Sequence, residues 1–201
     1  DCFAKLRLAQ ALAPLLYSLF ANAPLLDGAP SGFLSARGEI WRRTDPDRTG
    51  LLPFLFAERT GFDDYVAYAF DVPMYFIRRA EHFLDMTAER FTFRRYLAEG
   101  FAGAQATLAD WDLHLSTLFT EVRLRPQIEV RSMDSLPPAL SMAPAALLKG
   151  LLYDNDAGRH AWALCRPVSA SELQETLQSS WRQGLHSPWR GGTLRDLARE
   201  C

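Results

Sequence analysis

Cysteine is scarce in this sequence. The three that occur, Cys2, Cys165 and Cys201, are odd in number, lie far apart and form no CxxC. That excludes a disulfide scaffold and a zinc finger. Three reduced thiols suit a cytosolic protein, so a cytoplasmic location is the expectation. No apolar run approaches the roughly 18 residues that a spanning helix needs. An excess of one charge is missing too: 22 Lys and Arg stand against 24 Asp and Glu, a formal net charge of -2. So nearly neutral a chain has no bulk attraction for nucleic acid or for an anionic membrane. Phosphate-loop, dinucleotide-binding, nucleophile-elbow and zinc-protease signatures are absent. The four histidines (His82, His114, His160 and His186) are scattered without ligand spacing and read as surface or structural groups. Only His114 is placed near a charged strand. The opening DCFAKLRLAQALAPLLYSLF lacks a basic segment followed by a cleavage site, and it reads as the interior of a longer protein.

What is present is material for a core. Hydrophobic residues make up 48% and aromatics 12% of the 201 residues, so the chain can bury a sizeable interior. Leu6, Ala9, Leu12, Ala13, Leu16 and Phe20 recur at helical spacing, which predicts a helix over 3–20 with a kink or break at Pro14. Residues 22–32 are rich in Pro, Gly, Asn and Asp and read as a loop. Over 33–43 the period changes to two. Phe33, Ser35, Arg37, Glu39 and Trp41 share one strand face, and Leu34, Ala36, Gly38 and Ile40 the other. Further helices are predicted over 62–69, 92–99, 107–118, 138–152, 156–165, 170–183 and 193–201, with capping boxes at Thr107–Asp110 and Ser169–Glu172. Met74 to Arg78 reads as a strand.

The stretch E-V-R-L-R-P-Q-I-E-V-R, 121–131, alternates without a break. It predicts one long half-buried strand, at an edge or bulged at Pro126. Its polar face carries Arg123, Arg125 and Arg131 with Glu121 and Glu129. Such a face is either solvated, with weak ion pairs, or the floor of a polar cavity. In the second case arginine offers a planar fork to carboxylate or phosphate, and a nearby carboxylate offers oxygen to a hard cation. Few strands and many helices, without βαβ alternation, predict an α+β fold with helices on one face of an antiparallel sheet.

Several ungapped blocks resemble the plant-type and proteobacterial glutamate–cysteine ligases. They are LFANAPLLDGAPSGFLSARGEIWRRTDPDRTG (19–50), GFDDYVAYAFDVPMYF (61–76), DWDLHLSTLFTEVRLR (110–125), GLLYDND (150–156) and HSPWRGG (186–192). They stand in the family's order and cover nearly the whole chain. The resemblance implies a glutamine-synthetase-like carboxylate–amine ligase. It would use ATP and Mg²⁺ to join the γ-carboxylate of glutamate to cysteine, the first step toward glutathione. It further implies that Arg37 grips glutamate, that Tyr75 lines the amino-acid pocket, that Glu129 is a metal ligand and that Arg131 faces the transferred phosphoryl group. Trp41 is implied as a pocket wall, and Asn22 as a substrate-side residue or a loop anchor. Two positions depart from the pattern: Ala23 replaces a serine and Thr120 a proline. No cysteine pair stands near Met86, where plant members carry a regulatory disulfide. The acidic segment of the family's N-terminal half has no counterpart here. Residues 1–201 are therefore expected to form a single C-terminal portion of the catalytic domain, inactive without the missing half. The motifs leave open a related ligase acting on another amine, or a non-catalytic module of the same fold.

Overall fold

A computed structural model describes all 201 residues. It contains ten helices: α1 (Cys2–Ala11), α2 (Ala13–Leu19), α3 (Ala36–Thr44), α4 (Phe62–Asp71), α5 (Phe93–Glu99), α6 (Leu108–Ser116), α7 (Ala143–Tyr153), α8 (Asn155–Cys165), α9 (Ala170–Gln183) and α10 (Leu194–Glu200). Short strands form five two-stranded pairs. The strands are β1 (Leu25–Leu26), β2 (Ala29–Pro30), β3 (Thr49–Gly50), β4 (Phe76–Arg79), β5 (His82–Asp85), β6 (Phe119–Thr120), β7 (Val122–Leu124), β8 (Ile128–Val130), β9 (Pro188–Trp189) and β10 (Gly192–Thr193). The class is α+β, as expected, but no common sheet with helices on one face exists. The pairs are separate, and β3 with β6 is parallel. The strands are too short, and too interrupted by helices, to join.

The N-terminal helical stretch breaks where Pro14 requires. Pro14 sits in the first turn of α2, where its missing N–H is not needed. Leu6, Ala9, Leu12, Ala13 and Leu16 are wholly buried and, with Leu173, Leu177 and Trp181 of α9 and Leu194 and Leu197 of α10, belong to the main core. A second cluster, Met74, Ile77, Met86, Phe91, Phe93 and Tyr96, lies under β4 and β5. Both expected capping boxes are present: Thr107 and Ser169 each accept from the backbone N–H three residues on, and Asp110 and Glu172 bond back.

Two strand expectations are corrected. Residues 36–44 are helical, with Ser35 in extended backbone before the first turn. Helical spacing better explains the side chains: Glu39 binds Arg42 and Arg43, the (i, i+3) and (i, i+4) partners on one face. It also lets Gly38 meet the Trp181 ring, where a Cβ would stand 2.2 Å from the indole. The stretch 121–131 is a hairpin rather than one strand. Arg125-Pro126-Gln127 is the turn, closed by the Arg125 N–H to Gln127 carbonyl bond of 2.9 Å. Alternation within each arm survives, so Arg123 faces Glu129 and Val122 faces Val130 across the pair. The loop over 22–32 also contains a hairpin, β1–β2, turned at Asp27-Gly28, both with positive φ (50° and 78°). No helix is long and apolar enough to cross a membrane.

Candidate functional site

Helix α3 and the β7–β8 hairpin bring four of the expected site residues together. Arg37 and Trp41 are four apart in α3 and so share a face. The Arg37 guanidinium stands 5.6 Å and the Arg131 guanidinium 5.1 Å from the Trp41 ring centre. Phe119 extends this aromatic floor, 5.4 Å from Trp41 and 5.5 Å from the Arg131 guanidinium. Arg37 Nε donates to the Arg131 carbonyl at 3.3 Å. Cations over aromatic faces gain about 1 kcal/mol each.

Glu129 lies between two arginines. Arg123 donates to its Oε2 through Nε (3.2 Å) and Nη2 (2.7 Å), and Arg131 Nη1 donates to Oε1 at 2.7 Å. Burial alone would raise the Glu129 carboxyl, but these bonds outweigh it and hold it below the ordinary carboxylate range. Arg37 differs from its neighbours: neither of its Nη atoms has a partner in the chain.

Behind the arginines lies Glu121, 5% exposed, whose Oε2 accepts from the Ser132 hydroxyl at 2.8 Å. Burial pushes its carboxyl upward against the pull of Ser132 and of the Arg37 and Arg131 charges. Sequence alternation placed Glu121 on the same polar face as Glu129. The structure turns it inward because its own N–H and carbonyl are tied to Gly50 and Arg131.

Tyr75 lies apart from this group, against the C-terminal end of α3. Its hydroxyl donates to Asp45 Oδ2 at 2.7 Å, and the Arg48 guanidinium covers its ring at 3.5 Å. Arg48, 1% exposed, also donates to Asp45, the Thr117 hydroxyl and the Pro73 carbonyl. From Arg37 to Asp45 the helix advances about 12 Å, so Tyr75 and Arg37 bracket α3 rather than meet. Asn22 donates its side-chain amide to the Ser135 carbonyl at 2.7 Å and its backbone N–H to Asp134 at 2.7 Å. Sequence reading missed Phe119, Arg48 and Asp134. Arg48 was legible in TDPDRTG, as a cation flanked by Asp45 and Asp47; Phe119 and Asp134 carried no local signal.

His114 does not line this site. It is 2% exposed, its Nε2 is 2.7 Å from the Ala69 carbonyl, and burial lowers its pKa to about 4. It is therefore neutral and structural. Cys165 is buried and its thiol is pushed up to about 12, so it is inert rather than nucleophilic.

The residues present do not by themselves fit Mg²⁺. No three His, Cys, Asp or Glu side chains come together as a metal site. Both oxygens of Glu129 are occupied by guanidinium groups. A hard cation needs oxygen ligands where these cations now sit.

Guanidinium groups over an aromatic floor, one with both Nη atoms unpartnered, can offer a planar pair of donors to a carboxylate. The chain belongs to the family described as Glutamate-cysteine ligase family 2 (GCS2), which it matches over residues 1–201. It is 40% identical over 203 residues to the chloroplastic glutamate–cysteine ligase of Medicago truncatula, covering 100% of this chain and 40% of that protein. To the chloroplastic enzyme of Arabidopsis thaliana it is 40% identical over 203 residues, 100% of this chain and 38% of the relative. To that of Brassica juncea it is 41% identical over 203 residues, 100% of this chain and 39% of the relative. The chain thus spans about two-fifths of the length of the curated relatives it matches. These relatives are named as chloroplastic, which overturns the cytoplasmic expectation drawn from the thiols.

Proposed function

We propose that residues 1–201 are a C-terminal portion of a glutamine-synthetase-like catalytic domain that ligates glutamate to cysteine with ATP. The remaining half of the cavity lies in protein outside this span. In the reaction, a γ-carboxylate oxygen of glutamate attacks the γ-phosphorus of ATP, the bond to the bridging oxygen breaks, and ADP leaves. The cysteine nitrogen then attacks the acyl carbon. The bond to the phosphate oxygen breaks, inorganic phosphate departs, the nitrogen sheds a proton, and γ-glutamylcysteine remains. Both steps crowd anions together, so fixed cations lower the barrier most where charge develops.

The observation that carries this reading is the free fork of Arg37 beside Arg131. A guanidinium with both Nη atoms unpartnered is ready for bidentate contact with a carboxylate, here that of glutamate. Arg131 spends Nη1 on Glu129, and its remaining donors would meet the phosphoryl oxygens. Trp41 would wall the amino-acid pocket. Tyr75 would close its far end, and Asn22 would hold the loop in front of α3. The Mg²⁺ that accompanies ATP would draw its carboxylates from the rest of the protein. Glu129 would join as a ligand only on exchanging an arginine. The test is the full-length protein with glutamate, cysteine, ATP and Mg²⁺, followed for ADP and γ-glutamylcysteine together. Equal release of both supports the reading. Product only with a different amine would make it a sister ligase, and no product with any amine would make it a non-catalytic module.

A further inference from the structure

We infer that Asp134 is a positioning residue that sets the separation of Arg37 and Arg131 by tying the start of α3 to the segment following β8. The inference rests on the reading of those arginines as substrate-gripping groups. Asp134 stands three residues after Arg131 and is 8% exposed. Its Oδ1 accepts the Ser35 hydroxyl at 2.9 Å and its Oδ2 accepts the Asn22 backbone N–H at 2.7 Å. No Lys or Arg pairs with it, so these donors are what satisfies a nearly buried carboxylate.

Ser35 makes the tie informative. It occupies the N-cap position of α3, where a serine hydroxyl ordinarily accepts from the helix's own first turn. Here it makes no such bond and donates to Asp134 instead. Arg37 follows two residues later on a rigid helix and returns to the other segment through its Nε bond to the Arg131 carbonyl. Ser35, Arg37, Arg131 and Asp134 thus close a ring of two short chain pieces and two hydrogen bonds. Neither arginine can slide relative to the other without breaking one. Asn22 adds a second strap, through Asp134 and the adjacent Ser135 carbonyl.

The geometry separates positioning from charge. In Asp134→Asn the side-chain oxygen can accept from the Asn22 N–H, and the amide nitrogen can donate to Ser35 Oγ, which can turn to accept. The tie then survives without the charge. Asp134→Ala removes both arms, and Ser35→Ala removes one. In the full-length protein, steady-state kinetics with glutamate, cysteine and ATP should show a glutamate KM raised about tenfold in Asp134→Ala. The ATP KM should stay within about twofold, and Asp134→Asn should stay near the parent, with Ser35→Ala between them. Hydrogen exchange at residues 22–23 and 35–37 should quicken in Asp134→Ala and not in Asp134→Asn. Unchanged exchange in Asp134→Ala overturns the tie. Quickened exchange with an unchanged glutamate KM overturns its role in positioning. Asp134→Asn failing as badly as Asp134→Ala, with exchange still slow, would make Asp134 a charge partner of the substrate instead. A parent protein that forms no γ-glutamylcysteine overturns the functional reading and with it the catalytic relevance of Asp134, while exchange still decides whether the tie exists.

Discussion

Glu129 answers two guanidinium groups at once, and its worth follows from that. Its folded pKa is held low by Arg123 and Arg131, so its contribution is present above the unfolded value of about 4.3 and is lost as pH falls through the lower folded value. Glu129 is about a third exposed, so solvent screens part of the gain. Glu129→Gln should lower unfolding free energy by about 1–2 kcal/mol at pH 7. The gap from the parent should close below about pH 4, as read by chemical denaturation. His114 makes a different acid response. Its folded pKa of about 4 lies below the ordinary 6.5, so the unfolded chain binds the proton first and stability falls as pH drops from 6.5 toward 4. Between pH 7 and 5 this amounts to about 2 kcal/mol. Glu121, raised by burial, works in the opposite direction, so the measurement is the difference between parent and His114→Gln. The glutamine can still donate to the Ala69 carbonyl. An equal acid slope in both proteins would contradict this, because it would mean that His114 titrates alike in the folded and unfolded chains.

At the scale of elements, α3 is held by the close approach of its backbone to α9. Leu34 and Ser35 donate their backbone N–H groups to the Trp181 carbonyl at 2.8 and 3.1 Å, and Gly38 rests on the Trp181 ring. Gly38→Ala inserts a methyl group into that contact and should cost about 1–3 kcal/mol by overpacking, despite the higher helix propensity of alanine. A denaturation midpoint equal to the parent's would mean that α3 is free to lift. This helix was misread because period-two alternation over Ser35 to Trp41 coincides with a short amphipathic turn. The signal that decided it, Glu39 followed by Arg42 and Arg43, spans only one face. Residues 121–131 show the complementary case. Alternation was legible and correctly sorted Arg123, Glu129 and Arg131 onto one face, yet it cannot distinguish one strand from two arms folded at Pro126. Caps were legible because they are local: Thr107 with Asp110 and Ser169 with Glu172 form within three residues. Arg48 has a local partner in Asp45, but its bonds to Pro73 and Thr117, like those of Asp134 to Asn22 and Ser35, cross the chain, and nothing in the neighbouring residues announces them.

Across the whole molecule, α1 and α2 form the centre rather than an edge. They are among the most buried elements, wrapped by α8, α9 and α10. The arginine cluster lies outside this core, on α3 and the hairpin, and the Nη atoms of Arg37 have no hydrogen-bond partner in the chain. The arrangement supplies cations and an aromatic floor, and no three His, Cys, Asp or Glu side chains cluster as a metal site. On the proposed function, Arg37 grips the glutamate carboxylate through those Nη atoms. Arg37→Lys in the full-length protein tests it most directly, since lysine keeps the charge and loses the planar pair of donors. The predicted result is a glutamate KM raised about 10- to 100-fold, equivalent to about 1.5–3 kcal/mol, with the ATP KM nearly unchanged. A glutamate KM and kcat equal to the parent's would contradict it.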